Sequence, residues 1–184
     1  MGAPRPNWSA LAGAAQGGLG VEIDVAEDTF LQALTAEQAA VFEKSTPGLA
    51  VRGDVVRIVD SDHCVALLRG RLDLRGRISP TDDLAVTAIS VGELMHGVHK
   101  SSRVEENLAR LGVLLAAVIV LPYEEGAARR FGRAKAELER AGEGLGDLDL
   151  QIASIALEHD VPLVTHNRRH FKCVPGLMLE DWLE

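Results

Sequence analysis

Cysteine and aromatic side chains are scarce in this chain of 184 residues, which has two Cys, two Trp, one Tyr and four Phe. Two cysteines, Cys64 and Cys173, cannot build a disulfide-dense scaffold or a four-cysteine zinc module. A reduced pair is the simpler reading. Basic residues are outnumbered, 19 against 27 acids, for a net charge of −8. That balance excludes a wholly basic protein that coats nucleic acid, but not an enzyme that grips nucleic acid through metal ions. Long apolar runs are missing too. The most apolar segment, Leu111 to Tyr123, falls far short of the roughly 20 residues a helix needs to cross a bilayer. The uncharged stretch from Pro6 to Val21 is broken by Asn7, Ser9, Gln16 and several glycines. It lacks the compact apolar block of a signal peptide, so a cytoplasmic protein is expected. No Gly-x-Ser-x-Gly elbow of a serine hydrolase occurs.

What is present divides in two. Residues 1–54 hold seven acids and three bases, a net of −4, and residues 2–20 are rich in Gly, Ala and Pro. This part is expected to be an N-terminal extension, a flexible lead-in with one amphipathic helix from Thr29 to Glu43. From residue 55 to 184 the pattern becomes regular. Apolar runs at Val55–Val59, Leu84–Ile89, Ala117–Leu121 and Pro162–Thr165 read as strands, and Leu177–Leu179 as a fifth. Helical spacing marks segments from about His63 to Arg69, from Ser90, from Arg103 to Leu115, from Glu124 to Ala141 and from Asp147 to His159. Strands that alternate with helices predict an α/β domain. Its central sheet should be largely parallel, of about five short strands, and covered by helices on both faces.

In such a sheet, functional groups gather beyond the carboxyl ends of the strands. Asp60 follows the first strand directly. Burial there demands a partner or a cation. Asp62, two residues on, reads as a helix cap. Ser90 and Glu93 form a capping-box pattern, yet that helix starts where the second strand ends, so Glu93 also belongs to the same edge. Asp147 and Asp149 open a later helix, Asp147 as its N-cap. Gly142, Gly144 and Gly146 before them stop the preceding helix. Thr165 and Asn167 follow the fourth strand, with Arg168, Arg169 and Lys172 as a basic patch suited to phosphates. Carboxylates that share a pocket repel each other, and a hard divalent cation, Mg²⁺ or Mn²⁺, relieves the repulsion. With a coordination position left for water, such a site suits phosphodiester hydrolysis. His96 and His99 lack a third zinc ligand and read as surface residues, and Cys64 reads as core.

Five segments in order, Ile58-Val-Asp60-Ser-Asp62-His63, Ile89-Ser-Val-Gly-Glu93-Leu94, Gly146-Asp-Leu-Asp149-Leu-Gln-Ile-Ala153, Leu163-Val-Thr165-His-Asn167 and Val174-Pro-Gly176 through Asp181-Trp182, resemble a PIN-domain protein. Within that family they are similar to the VapC-like toxin ribonucleases of prokaryotic toxin–antitoxin pairs. The resemblance runs from about Val55 to Leu183 and implies a PIN-like three-layer fold. It implies that Asp60, Glu93 and Asp149 are the catalytic acids that bind Mg²⁺ or Mn²⁺, with Asp62 and Asp147 as further metal candidates. It also implies an RNA substrate, a cognate antitoxin protein and a homodimer. Where the family often has a fourth acid, this chain offers Asn167 and His170. Two alternatives stay open. One is a haloacid-dehalogenase-like phosphatase with Asp60 as nucleophile and Asp62 as acid/base. The other is a non-catalytic PIN-type binding module.

Overall fold

A computed structural model describes residues 55–79 and 81–184. The N-terminal extension expected over residues 1–54, with its Thr29–Glu43 helix, lies outside the described residues. In chain order the elements are β1 (Val56–Val59), α1 (Ser61–Leu68), β2 (Asp83–Thr87), α2 (Ala88–His99), α3 (Val104–Ala117), β3 (Ile119–Leu121), α4 (Glu125–Ala141), α5 (Asp147–His159), β4 (Leu163–Val164), α6 (Arg168–Phe171) and β5 (Leu179–Glu180). All strand pairs are parallel, in the order β3-β2-β1-β4-β5.

β1 is central because its side chains can be buried on both faces. Val56 and Ile58 pack into one layer with Leu121, Ala127, Leu138, Leu150, Ile155 and Phe171. Val59 packs into the other with Cys64, Val86, Leu94, Leu111, Val164 and Trp182. Residues of α1, α2 and α3 thus fill one layer and those of α4 and α5 the other, the two-sided cover that a parallel sheet requires. The stripe Ala127, Phe131, Ala134 and Leu138 is the seam of α4. The one charge inside β1, Arg57, bridges outward to Asp82 at 3.1 Å and to Glu180 of β5 at 3.1 Å.

The chain lays β2 and then β3 on one side of β1, and crosses back to add β4 and β5 on the other. The strand order therefore reverses between β1 and β4. In open α/β sheets the crevice beyond that point is where ligands bind. Asp60 and Thr165, the residues that end β1 and follow β4, sit at this point.

Two helix starts and one cap differ from the sequence expectation. α1 begins two residues early, at Ser61, because Asp60 itself is the cap and accepts from the Ser61 N–H. α2 begins at Ala88, not Ser90. Thr87 leaves β2 in extended conformation, and its hydroxyl accepts the Ser90 N–H at 3.0 Å. Ser90 is then inside the first turn, buried, with its hydroxyl 2.9 Å from that of Thr87. The Ser90–Glu93 capping box does not form, and Glu93 keeps its carboxylate for other use. α5 is capped by Gly146, and Asp147, its first residue, pairs instead with Lys135 of α4. The fifth strand is Leu179–Glu180, not Leu177–Leu179.

These caps yield a direct test. Thr87→Val keeps shape and removes the capping oxygen, so unfolding free energy should fall by about 1–2 kcal/mol in urea denaturation. Glu93→Gln, which would be costly in a capping box, should be neutral to within about 0.5 kcal/mol or slightly stabilising.

Candidate active site

The site is built outward from Asp60. Its side chain is only 7 % exposed, and both oxygens are occupied. The Ser61 N–H donates to Oδ1 at 2.8 Å and the Thr165 hydroxyl donates to Oδ2 at 2.9 Å. Thr165 Oγ1 in turn accepts the Asn167 N–H at 3.1 Å. The start of α6 is thereby fastened to the end of β1. Burial, joined by the like charges of Asp62 and Glu93, pushes the Asp60 carboxyl up to about 6, against the pull of its two donors. Glu93, on the second turn of α2, thus lies within electrostatic reach of Asp60.

Asp62 has a different task. Oδ1 accepts the His63 N–H at 2.6 Å and lies 2.7 Å from the His63 ring Nδ1, while Oδ2 accepts the His166 N–H at 2.8 Å. Burial raises its pKa, but these donors outweigh burial and hold it below the usual carboxylate range. With both oxygens engaged, Asp62 ties α1 to the segment after β4. His63 is fully buried, and its Nε2 accepts the Trp182 N–H at 3.0 Å. Nε2 being an acceptor, the ring proton sits on Nδ1 and points at Asp62. Asp181 completes the clamp, with Oδ2 2.9 Å from His166 Nδ1 and Oδ1 accepting the Leu183 N–H at 2.8 Å.

Asp149, in the first turn of α5, is raised by burial and lowered by the nearby His170. His170 belongs to α6, where its Nδ1 lies 2.9 Å from Asn167 Nδ2. α2 and α5 are packed together. Glu93 and Asp149 therefore stand on touching helices, and α6 bears on Asp60 through Thr165 and on Asp149 through His170. Among the described residues, no three carboxylate, imidazole or thiol groups are gathered as tightly as a bound cation holds its ligands. The donor set nevertheless has the chemistry of a hard-cation site. It is all oxygen, and Asp60 sits in an anionic, desolvated position that a divalent ion would relieve. Asp147 is turned away to Lys135. Arg168 reaches Glu184 at 3.8 Å, and Arg169 and Lys172 are exposed without an ion pair among the described residues.

Sequence reasoning missed His63, Thr87 and the clamping role of Asp181. A histidine amid the apolar positions of α1 and a threonine closing a strand before a helix were the available signals. Cys64 and Cys173 are free thiols, and burial pushes the Cys64 thiol far up, which leaves it inert. His96 and His99 are exposed, as expected.

The raised Asp60 pKa makes stability depend on pH with a definite sign. Between about pH 4 and 6 the folded chain holds the Asp60 proton more tightly than the unfolded chain, so without divalent cations stability from this group falls as pH rises through that window. Compared with Asp60→Asn in EDTA, the wild type should lose on the order of 2–3 kcal/mol from pH 4 to pH 7. Parallel urea titrations of the two proteins read that difference, and groups common to both cancel.

Residues 57–177 match the family model described as PIN domain. A tRNA(fMet)-specific endonuclease VapC of Salmonella typhimurium is 32 % identical over 68 % of this chain and 96 % of its own length. Ribonuclease VapC2 of Rickettsia felis is 33 % identical over 57 % of this chain and 78 % of its own. Among solved structures, VapBC2 of Rickettsia felis bound to a promoter DNA fragment superposes with a TM-score of 0.65 at 29 % identity, over 70 % of this chain and 99 % of that one. DNA-bound VapBC of Salmonella typhimurium gives 0.64 at 30 % identity, over 70 % and 98 %. The chain belongs to the PIN-domain family.

Proposed function

We propose that this protein is a metal-dependent endoribonuclease, the toxin of a toxin–antitoxin pair. The observation that carries this reading is the buried Asp60 carboxylate at the β1/β4 reversal, with Glu93 in electrostatic reach, in a chain whose relatives are named ribonucleases and tRNA endonucleases. Asp60, Glu93 and Asp149 are assigned to hold Mg²⁺ or Mn²⁺. Neither Glu93 nor Asp149 has a hydrogen-bond partner among the described residues that would resist its turning inward. A divalent cation bound there supplies a water of lowered pKa and steadies the leaving oxygen of a phosphodiester.

The chain's own residues do the rest. Thr165 and the Ser61 N–H fix the rotamer of Asp60 so that its charge is in place before substrate arrives. Asp62, spent on His63 and His166, orients the strand ends and is not assigned to the cation; nor is Asp147. The same engagement removes Asp62 as a free acid/base, which counts against the phosphatase alternative. Arg169 and Lys172, with Asn167 and Arg168 beside them, are assigned to draw the RNA backbone towards the acids. The partners assigned on this reading are an antitoxin protein and a second copy of the chain, since the solved relatives are VapBC complexes. No helix among the described residues is long and apolar enough to cross a membrane, and a cytoplasmic location fits this function.

Purified full-length protein free of antitoxin should cleave RNA with Mg²⁺ or Mn²⁺ and stop on chelation. Asp60→Asn and Asp149→Asn should lose more than the roughly 10–100-fold that removal of an outer-shell partner costs, whereas Asp62→Asn should fall within that range. Unchanged cleavage by a folded Asp60→Asn protein would refute the assignment. RNA left intact by wild type, across several RNAs, would favour the non-catalytic module.

A further inference from the structure

His170 stands beside the acids and has no part in the chemistry assigned so far. It is exposed, yet it is held at three points. Its N–H donates to the Asn167 carbonyl at 3.0 Å. Its carbonyl accepts from the Cys173 thiol at 3.0 Å. Its ring Nδ1 accepts from the Asn167 side-chain amide at 2.9 Å. The next residue, Phe171, is fully buried in the same layer as Leu150 of α5. α6 is thereby kept against α5, and the imidazole stays within electrostatic reach of Asp149. An amide NH₂ can only donate, so Nδ1 is the acceptor and the neutral ring carries its proton on Nε2. The α6 flank also brings no negative charge to the site. From Pro162 to Leu179 the chain has no acid, while Arg168, Arg169 and Lys172 are cations. Asp62 and Asp181, further carboxylates at this edge, have both oxygens engaged. A pair of cations can clamp the attacking and the leaving oxygen together, but hard cations need oxygen ligands. Beyond Asp149, this flank has no free carboxylate to give one.

We infer that this is a one-cation site in which the His170 Nε2–H takes the part of a second cation, donating to the phosphate oxygen on which negative charge grows during cleavage. The inference rests on the nuclease reading and deepens it. The bond from the water oxygen to phosphorus forms and the bond to the leaving oxygen breaks. His170 keeps its proton throughout and contributes a hydrogen bond alone. A donor fixed in advance at the place where charge develops lowers the barrier without having to reorganise. The three restraints on His170 supply that fixity. Arg169 and Lys172 are exposed and have no ion pair among the described residues, which suits attraction of the strand and not the placement of one donor.

Cation binding is read first, without RNA and without turnover. Mn²⁺ is titrated into full-length, antitoxin-free protein, and the free ion is followed by its electron paramagnetic resonance signal. Wild type should bind a single Mn²⁺ per chain. His170→Ala should bind it with unchanged affinity, because the ring is not a ligand. His170→Glu, which adds a carboxylate to the α6 flank, should take up a second Mn²⁺. Cleavage kinetics with Mn²⁺ come next. His170→Ala should lose roughly 100-fold in kcat, the scale of one transition-state donor, with KM nearly unchanged. His170→Gln, whose amide N–H extends to the region of Nε2, should recover most of that loss. The ring is exposed, so neither substitution opens a cavity, and melting temperatures should match that of wild type. Two ions on wild type, or affinity lost in His170→Ala, would make the imidazole flank a cation site and overturn the inference. So would an unchanged kcat in His170→Ala, or a loss confined to KM, the mark of uniform binding of the strand. In those cases wild type still binds Mn²⁺ and cleaves RNA, and the nuclease reading stands. Wild type that binds no Mn²⁺ and cleaves no RNA overturns that reading, and this inference with it.

Discussion

A carboxylate withheld from water at the end of the central strand is the constraint around which this molecule is arranged. Asp60 cannot be buried among other acids without compensation, and its immediate surroundings supply only part of it. The Ser61 N–H and the Thr165 hydroxyl satisfy both oxygens, yet burial still pushes the carboxyl up to about 6. A group left in that state is poised for a positive charge. A protein that needed Asp60 only as a helix cap could have used serine or asparagine at no such cost.

The surrounding framework keeps that poised group in position. Asp62, His63 and Trp182 form a chain of hydrogen bonds from the start of α1 to the last residues of the protein. Asp181 and His166 form a second link beside it. Both join segments that are far apart in sequence at the carboxyl edge of the sheet. Each acid near the site has a different environment, and the environments sort the roles. Asp62 and Asp181, rich in donors, are held below the usual carboxylate range. Asp60 and Asp149, where burial dominates, are held above it. The first pair are fasteners. The second pair carry charge that a cation can use.

Much of this was legible in the chain. Val56 to Val59 could only be an interior strand, and an acid directly after it had to lie at the sheet's carboxyl edge. Glu93 and Asp149 followed from the same logic, since each falls within the opening turns of a helix. The helix starts were less legible. Thr87, Ser90 and Asp147 are all good capping residues, and which of them caps depends on where the preceding backbone leaves the extended conformation. At Thr87 the strand's last pairing, with Leu121 of β3, fixed that point one turn before Ser90.

By itself, the sequence determined the order of strands and helices, the two-sided burial of the sheet and the positions of the acids along it. These follow from local hydrophobic period and from side-chain chemistry, which act over a few residues. Only the tertiary structure decided that β1 is flanked by β2 and β4, that Thr165 and not a cation-binding residue holds Asp60, and that His63 pairs across 119 residues with Trp182. The physical reason is that such pairings are selected by burial. A polar group sealed inside the fold must find its partner among whatever the chain brings beside it, and no local pattern records which distant segment that will be.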